Sequence, residues 1–328
     1  MAELQLVRNN AQLIQELPEY QQEWVNIVRD VREYSEHRVS GLNIGFPMMH
    51  DAINGLGPGL IFIAGQPNIG KSALCLQMAW GVANSNDNVY VIYFSLDDND
   101  TEIVPRIVSM TKRIPISAVK YPLRFAHDTG IMTKRAEGFR DLEAMASRFK
   151  LLDSDYGHDI ASIEEVVRKH KIQLPDGCHL CVFIDNFYNI KVKDARFKDG
   201  DEQSRYITHR LKMISDQDVP VICTIELRKL NGNRRPTTDD VFGSVHLQYE
   251  AEAIMLCYNE VGLRGNAAEI YWNMSGSEEK QPVMEVRLGK NKMGEFKGRL
   301  FYQFWPHQSF LTEVPSAGAQ LYNSRISV

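Results

Sequence analysis

Leu60-Ile61-Phe62-Ile63-Ala64-Gly65-Gln66-Pro67-Asn68-Ile69-Gly70-Lys71-Ser72 is an apolar run, then a glycine-bounded turn, then a cation and a hydroxyl. The apolar run predicts a buried strand, and the stretch from about 70 to 84 predicts a helix. Strand, turn and helix in that order, spaced as GxxxxGKS, predict a phosphate-binding loop. Each residue type has a physical reason. Gly65 and Gly70 let the backbone turn tightly, so that N–H groups point at phosphate oxygens. The helix that follows adds the positive end of its dipole. Lys71 neutralises the β- and γ-phosphates of a nucleotide, and the Ser72 hydroxyl ligates Mg²⁺. Gln66, Pro67, Asn68, Ile69 and Ala73 complete the cradle.

Outward from this loop, strand and helix signals alternate from about 41 to 312. Val89–Phe94, Phe149–Leu152, His179–Ile184 and Val219–Ile225 read as strands. Ala253–Cys257, 268–271, 283–288 and 299–304 read as later ones, the last of them antiparallel. Helices are expected near 100–112, 129–149, around Ile163 to Val167, and 204–215. Apolar strands alternating with helices predict an α/β fold, a mostly parallel sheet covered on both faces. The strand ending at Asp185 puts a carboxylate at the carboxyl edge of the sheet, where such sheets bind ligands. Asp185 is therefore expected to hold Mg²⁺ through water. Residues from about 313 read as a loose tail.

Residues 1–40 differ. Leu13, Ile14, Leu17, Tyr20, Trp24, Ile27, Val28 and Val31 recur at three- and four-residue spacing, an amphipathic helical arm. Its apolar face fits either a neighbouring subunit or its own domain.

Composition narrows the partners. The 328 residues are 44% hydrophobic and 24% charged with a formal net charge of -5, so any nucleic acid would be held by local basic loops. No apolar run is long enough to span a membrane. The N-terminus lacks the layout of a signal peptide. The five cysteines, mostly in apolar runs, suit a reducing cytoplasm.

Several blocks together resemble the C-terminal, RecA-like ATPase domain of the DnaB-type replicative helicases. They are Asn43 to Gly59 before the phosphate loop, the loop itself, Val91 to Asp97, Ile103 to Ile107, Ile184-Asp185-Asn186-Phe187, Gly243-Ser244 leading to Glu250 to Met255, and Leu288 to Gly294. The resemblance covers about 41 to 305 and finds no counterpart of the family's primase-engaging N-terminal domain, which points to a phage or mobile-element type. It implies ATP, Mg²⁺ and a homo-oligomeric ring, usually a hexamer, that grips single-stranded DNA during replication. Primase, polymerase or a helicase loader would be further partners.

The resemblance also implies roles. Asp97 stands where the family has its catalytic glutamate, one methylene shorter. Lys290-Asn291-Lys292 stands where a Lys-x-Arg pair reaches into the neighbouring subunit, and Lys292 lacks the planar fork of arginine. Glu226 stands where a glutamine is usual. These three departures motivate a second reading, a nucleotide-binding assembly or loader protein with slow or no hydrolysis. Two basic stretches are the expected DNA loops. One carries Lys191, Lys193, Arg196 and Lys198. The other carries Arg228, Lys229, Arg234 and Arg235 and extends to Gly243 and Ser244. Aromatic residues are sparse in both, so contact with phosphate and ribose is expected, without base stacking.

Overall fold

Ten apolar runs pair into one sheet. The computed structural model describes residues 18–37, 41–153, 159–193, 197–230, 234–243 and 245–326. The strands are β1 (Gly59–Gly65), β2 (Val89–Ser95), β3 (Phe149–Leu152), β4 (His179–Asp185), β5 (Pro220–Glu226), β6 (Ala253–Asn259), β7 (Tyr271–Asn273), β8 (Lys280–Asn291), β9 (Arg299–Trp305) and β10 (Phe310–Glu313). Their order is β10-β9-β8-β6-β1-β5-β4-β2-β3, with β7 on β8 off this path. The six strands from β6 to β3 are parallel. The remaining pairings, β6–β8, β7–β8, β8–β9 and β9–β10, are antiparallel.

The alternation of side chains along β1 explains its unbroken apolar run. Ile61 and Ile63 pack on one face with Leu74, Met78 and Val82 of the helix Lys71–Ser85. Leu60, Phe62 and Ala64 pack on the other with Ile207, Leu211 and Ile214 of the helix Gly200–Ser215. Both faces are dry, so no polar position interrupts the strand.

Register then fixes the site. Gly65 lies opposite Glu226 across β1–β5, and Ser95 lies opposite Asp185 across β2–β4. The carboxyl ends of β1, β2, β4 and β5 therefore form one edge.

Two local expectations need correcting. The segment expected as a strand over 268–271 pairs only from Tyr271 to Asn273; Ala268 and Ile270 are buried without joining the ladder. The tail is not loose in conformation over Ser316–Arg325, which is helical. Tyr322 of that helix and Ile326 just after it are buried beside Phe301 and Val283.

The chain divides into two units, Met1–Gly41 and Leu42–Val328. In the first, Pro18–His37 is a helix along which Trp24, Ile27, Val28 and Val31 are exposed. Leu13, Ile14 and Leu17 lie outside the described residues.

Candidate nucleotide site and the loops beside it

The turn after β1 is built as the spacing predicts. Asn68 and Gly70 take positive φ, 62° and 107°, and Gly70 caps the helix Lys71–Ser85. The φ of Gly70 favours glycine, and a Cβ there would also press on Met284 Cε at 2.6 Å and the Phe304 ring at 2.9 Å, which would have to move aside. Asn259 Nδ2 donates to the Ile69 carbonyl at 3.2 Å and holds the turn from β6.

Lys71 is only 9% exposed, and its Nζ donates to the Gln66 carbonyl at 2.9 Å. Burial pulls its pKa below the usual lysine range, against the opposing pull of Glu226, Cys257, Asp185 and Asp97. A cation kept from water beside an open cavity is suited to receive an anion. That cavity, about 510 Å³, is lined by Asn68, Gly70, Lys71, Ser72, Asp97, Asp185 and Glu226, among others.

Asp185 is buried and held on both oxygens. The Thr224 hydroxyl donates to Oδ1 at 2.5 Å, and the Tyr93 hydroxyl donates to Oδ2 at 3.2 Å. Burial and the adjacent Asp185 charge raise the Tyr93 pKa well above the usual phenol range, so Tyr93 remains a donor. A hard cation takes oxygen ligands, and the Ser72 hydroxyl with the Asp185 carboxylate fits Mg²⁺.

Asp97 and Asp98 differ although adjacent. Asp98 pairs with Arg106 at 2.7 Å. Asp97 is exposed and accepts one bond from Asn189 Nδ2 at 3.3 Å, while the same amide donates to the Leu96 carbonyl. Asp97 is thus the carboxylate with room to accept a proton from water at the cavity.

Both basic loops leave the same edge. Lys191, Lys193 and Lys198 follow β4, and all three are exposed. Asp159 anchors that loop by accepting from the Lys193 N–H at 2.8 Å. Arg228 and Lys229 follow β5 and are exposed too. Among the described residues, none of these five cations pairs with a carboxylate. Gly243 has a φ of 93° at the return of the second loop. Arg196 and Ser244 lie outside the described residues.

Arg235 corrects the sequence reading. Its guanidinium turns inward, to Glu285 at 2.7 Å and Glu260 at 3.1 Å, both almost fully buried. It fastens the base of the loop rather than facing outward. Arg234 is also engaged, forking onto Asp240.

The sequence pattern of the DnaB-like helicase C terminal domain matches residues 41–308. The chain belongs to this family. It is 25% identical over 249 residues to the replicative DNA helicase DnaB of Leifsonia xyli subsp. xyli, covering 73% of this chain and 51% of that protein. It is 22% identical over 275 residues to that of Haemophilus influenzae, covering 81% and 54%. The chain thus spans about half the length of the curated relatives it matches. In structure it is similar to a solved ATPase domain, with a TM-score of 0.73 and 21% identity, covering 90% of this chain and 98% of that one. A DnaB-like replicative helicase solved with its primase interactions gives a TM-score of 0.74 at 21% identity, covering 89% and 66%. These likenesses establish the RecA-like fold.

In this DnaB-like domain, Lys290 and Lys292 stand away from their own phosphate loop. Lys292 N–H donates to the Glu252 carbonyl, and Glu252 N–H donates to the Leu60 carbonyl. That row crosses the sheet five residues back from Gly65, or about 16 Å at the rise of a strand. Lys290 Nζ donates to the carbonyls of Gln248 at 2.5 Å and Tyr249 at 3.1 Å, and Lys292 lies 3.6 Å from Glu252. Sequence reasoning missed Tyr93, Thr224, Asn189, Asn259 and Arg106, which hold or flank the site. For Thr224 a signal exists: it sits two residues before Glu226 and so shares its face of β5.

Proposed function

We propose that this chain is the motor domain of an ATP-dependent DNA helicase that translocates on single-stranded DNA during replication. The observation carrying this reading is the shared edge: Lys71, Ser72, Asp97, Asp185 and Glu226 surround one cavity, and beside it leave two loops on which Lys191, Lys193, Lys198, Arg228 and Lys229 have no carboxylate partner among the described residues. Lys71 and the turn hold the phosphates of ATP, and Ser72 and Asp185 hold Mg²⁺. Asp97 orients and deprotonates the attacking water. Glu226 connects the nucleotide to the second loop, since β5 ends in it and the loop begins at Leu227. Lys191, Lys193, Lys198, Arg228 and Lys229 bind phosphates of the strand.

Membership of the family supports a homo-oligomeric ring, a hexamer in the first instance, with Lys290 and Lys292 reaching a neighbour's nucleotide. The exposed apolar residues of Pro18–His37 would be covered by that neighbour. Primase, polymerase or a loader would join the ring in the cytoplasm. No described helix is long and apolar enough to cross a membrane. The test is ATP hydrolysis with and without single-stranded DNA, alongside strand displacement from a forked duplex. Hydrolysis indifferent to DNA, with no strand displaced, would sink the reading.

The second reading, an assembly or loader protein, draws on the short Asp97 side chain and on the acid at Glu226 beside Lys71. Turnover of about 1–100 per second would exclude it.

A further inference from the structure

We infer that Tyr188, Phe242 and Arg228 frame a pocket for a nucleobase of the bound single strand; this rests on the DNA reading given above. Spacing along the chain predicts phosphate and ribose contacts alone, because aromatic residues are sparse in each loop. The fold joins what the sequence separates. Tyr188 follows β4 in the turn Phe187–Asn189, and Phe242 ends the loop after β5. Their rings meet at 5.4 Å and 65°, and the Tyr188 hydroxyl donates to the Phe242 carbonyl at 2.5 Å.

This aromatic wall is fixed from within. Phe187 is buried and meets Tyr188 edge-on at 5.2 Å. The Phe242 N–H donates to the Glu226 carbonyl at 3.1 Å, and Leu227 pairs with Val241. The Phe242 backbone is therefore tied to the end of β5, yet the residue is 53% exposed. A cavity of about 440 Å³ opens beside it, lined also by Arg228, Gln203 and Asp201.

Charge selects the ligand. Arg228 at the rim has no described carboxylate partner, and neither do Lys229, Lys191 and Lys193 on the same two loops. A polyanion satisfies those cations, and its one flat, uncharged, aromatic part is the base. Stacking on a ring tolerates any base, since each has a π-face, so the pocket grips without reading sequence. An apolar peptide would fill the cavity but leave the cations without partners.

The test compares two oligomers of equal length, oligodeoxythymidine and an abasic strand. Binding to the full chain is followed by fluorescence anisotropy with a non-hydrolysable ATP analogue and Mg²⁺. The Tyr188 bond goes to the Phe242 backbone, so Phe242→Ala leaves it in place. We expect Phe242→Ala to weaken thymidine binding about tenfold and abasic binding less than about twofold, with Phe242→Trp restoring the difference. Equal losses on both oligomers would mean a loop-shaping role and overturn the proposal, as would no loss on either. If the unmodified chain binds neither oligomer, the DNA reading itself fails, a result distinct from both.

Discussion

Under the proposed function, Lys71 would serve binding at a cost to the fold. The net shift of its pKa is downward, because burial penalises the ammonium relative to water by more than the nearby acidic groups support it. A neutral side chain of similar length should therefore suit the free protein better. Lys71→Met is expected to lower ATP hydrolysis by at least about a hundredfold. The same variant should raise the thermal midpoint of the nucleotide-free chain by about 2 °C. Calorimetry beside a phosphate-release assay checks both; a fall in midpoint would contradict the argument. Asp97 and Asp98 separate in the same manner. Because Asp98 is committed to Arg106, Asp97→Ala should reduce turnover about a hundredfold with little change in nucleotide affinity. A comparable loss of affinity would instead place Asp97 in binding. Asp240 gives a pH signature. The Arg234 guanidinium holds its carboxyl at about 2, below its ordinary 3.8. A depressed pKa stabilises the fold above the unfolded value, so this contribution is whole above about pH 4 and fades as pH falls toward 2. Asp240→Asn should flatten the acid limb of the stability curve in that window, measured by urea midpoints.

At the scale of elements, the loop after β5 is two structures. Arg228 and Lys229 face outward, while Arg235 is drawn into Glu260 and Glu285. Glu285 is nearly sealed from water, and burial raises its pKa against the pull of Arg235. Removing one partner of a buried pair strands the other charge. Arg235→Ala should therefore cost about 3 kcal/mol, the lower end for such changes, because Glu260 keeps Arg264. Denaturant unfolding of Arg235→Ala beside Arg228→Ala checks this, and equal stability of the two would refute it. The sequence shows Arg234 and Arg235 as one basic pair, since a charge pattern does not reveal which side chain meets a carboxylate fifty residues on. Local signals carried further elsewhere. β1, the turn and the helix Lys71–Ser85 were legible because apolar runs, glycine spacing and helix start agree. The helix Ser316–Arg325 was not, because Ser316-Ala317-Gly318 reads as a breaker; burial of Tyr322 and Ile326 overrides that propensity. The meeting of Tyr188 with Phe242 was illegible for the same reason as Arg235: it exists only once β4 and β5 are side by side.

For the whole molecule, the position of Lys292 argues for work shared between copies. It lies about five residues back along the sheet from its own Gly65, so a second chain must bring its Lys292 to this cavity if the residue acts at all. Mixing Lys71→Ala with Lys292→Ala chains tests this. Each alone should be inactive, and the mixture should regain a measurable fraction of hydrolysis, because some contacts then join an intact loop to an intact lysine. A mixture as inactive as its parents would count against a shared site. The strand order has one more consequence, for synthesis rather than catalysis. β1 is flanked by β5 and β6, not by β2. Residues 59–65 leave the ribosome early and wait, both ladder edges unpaired, until 220–259 have been made. A nascent chain halted before residue 220 would carry the whole glycine turn yet lack Thr224 and Glu226, exposing an apolar strand with open edges to any neighbour that could pair with it.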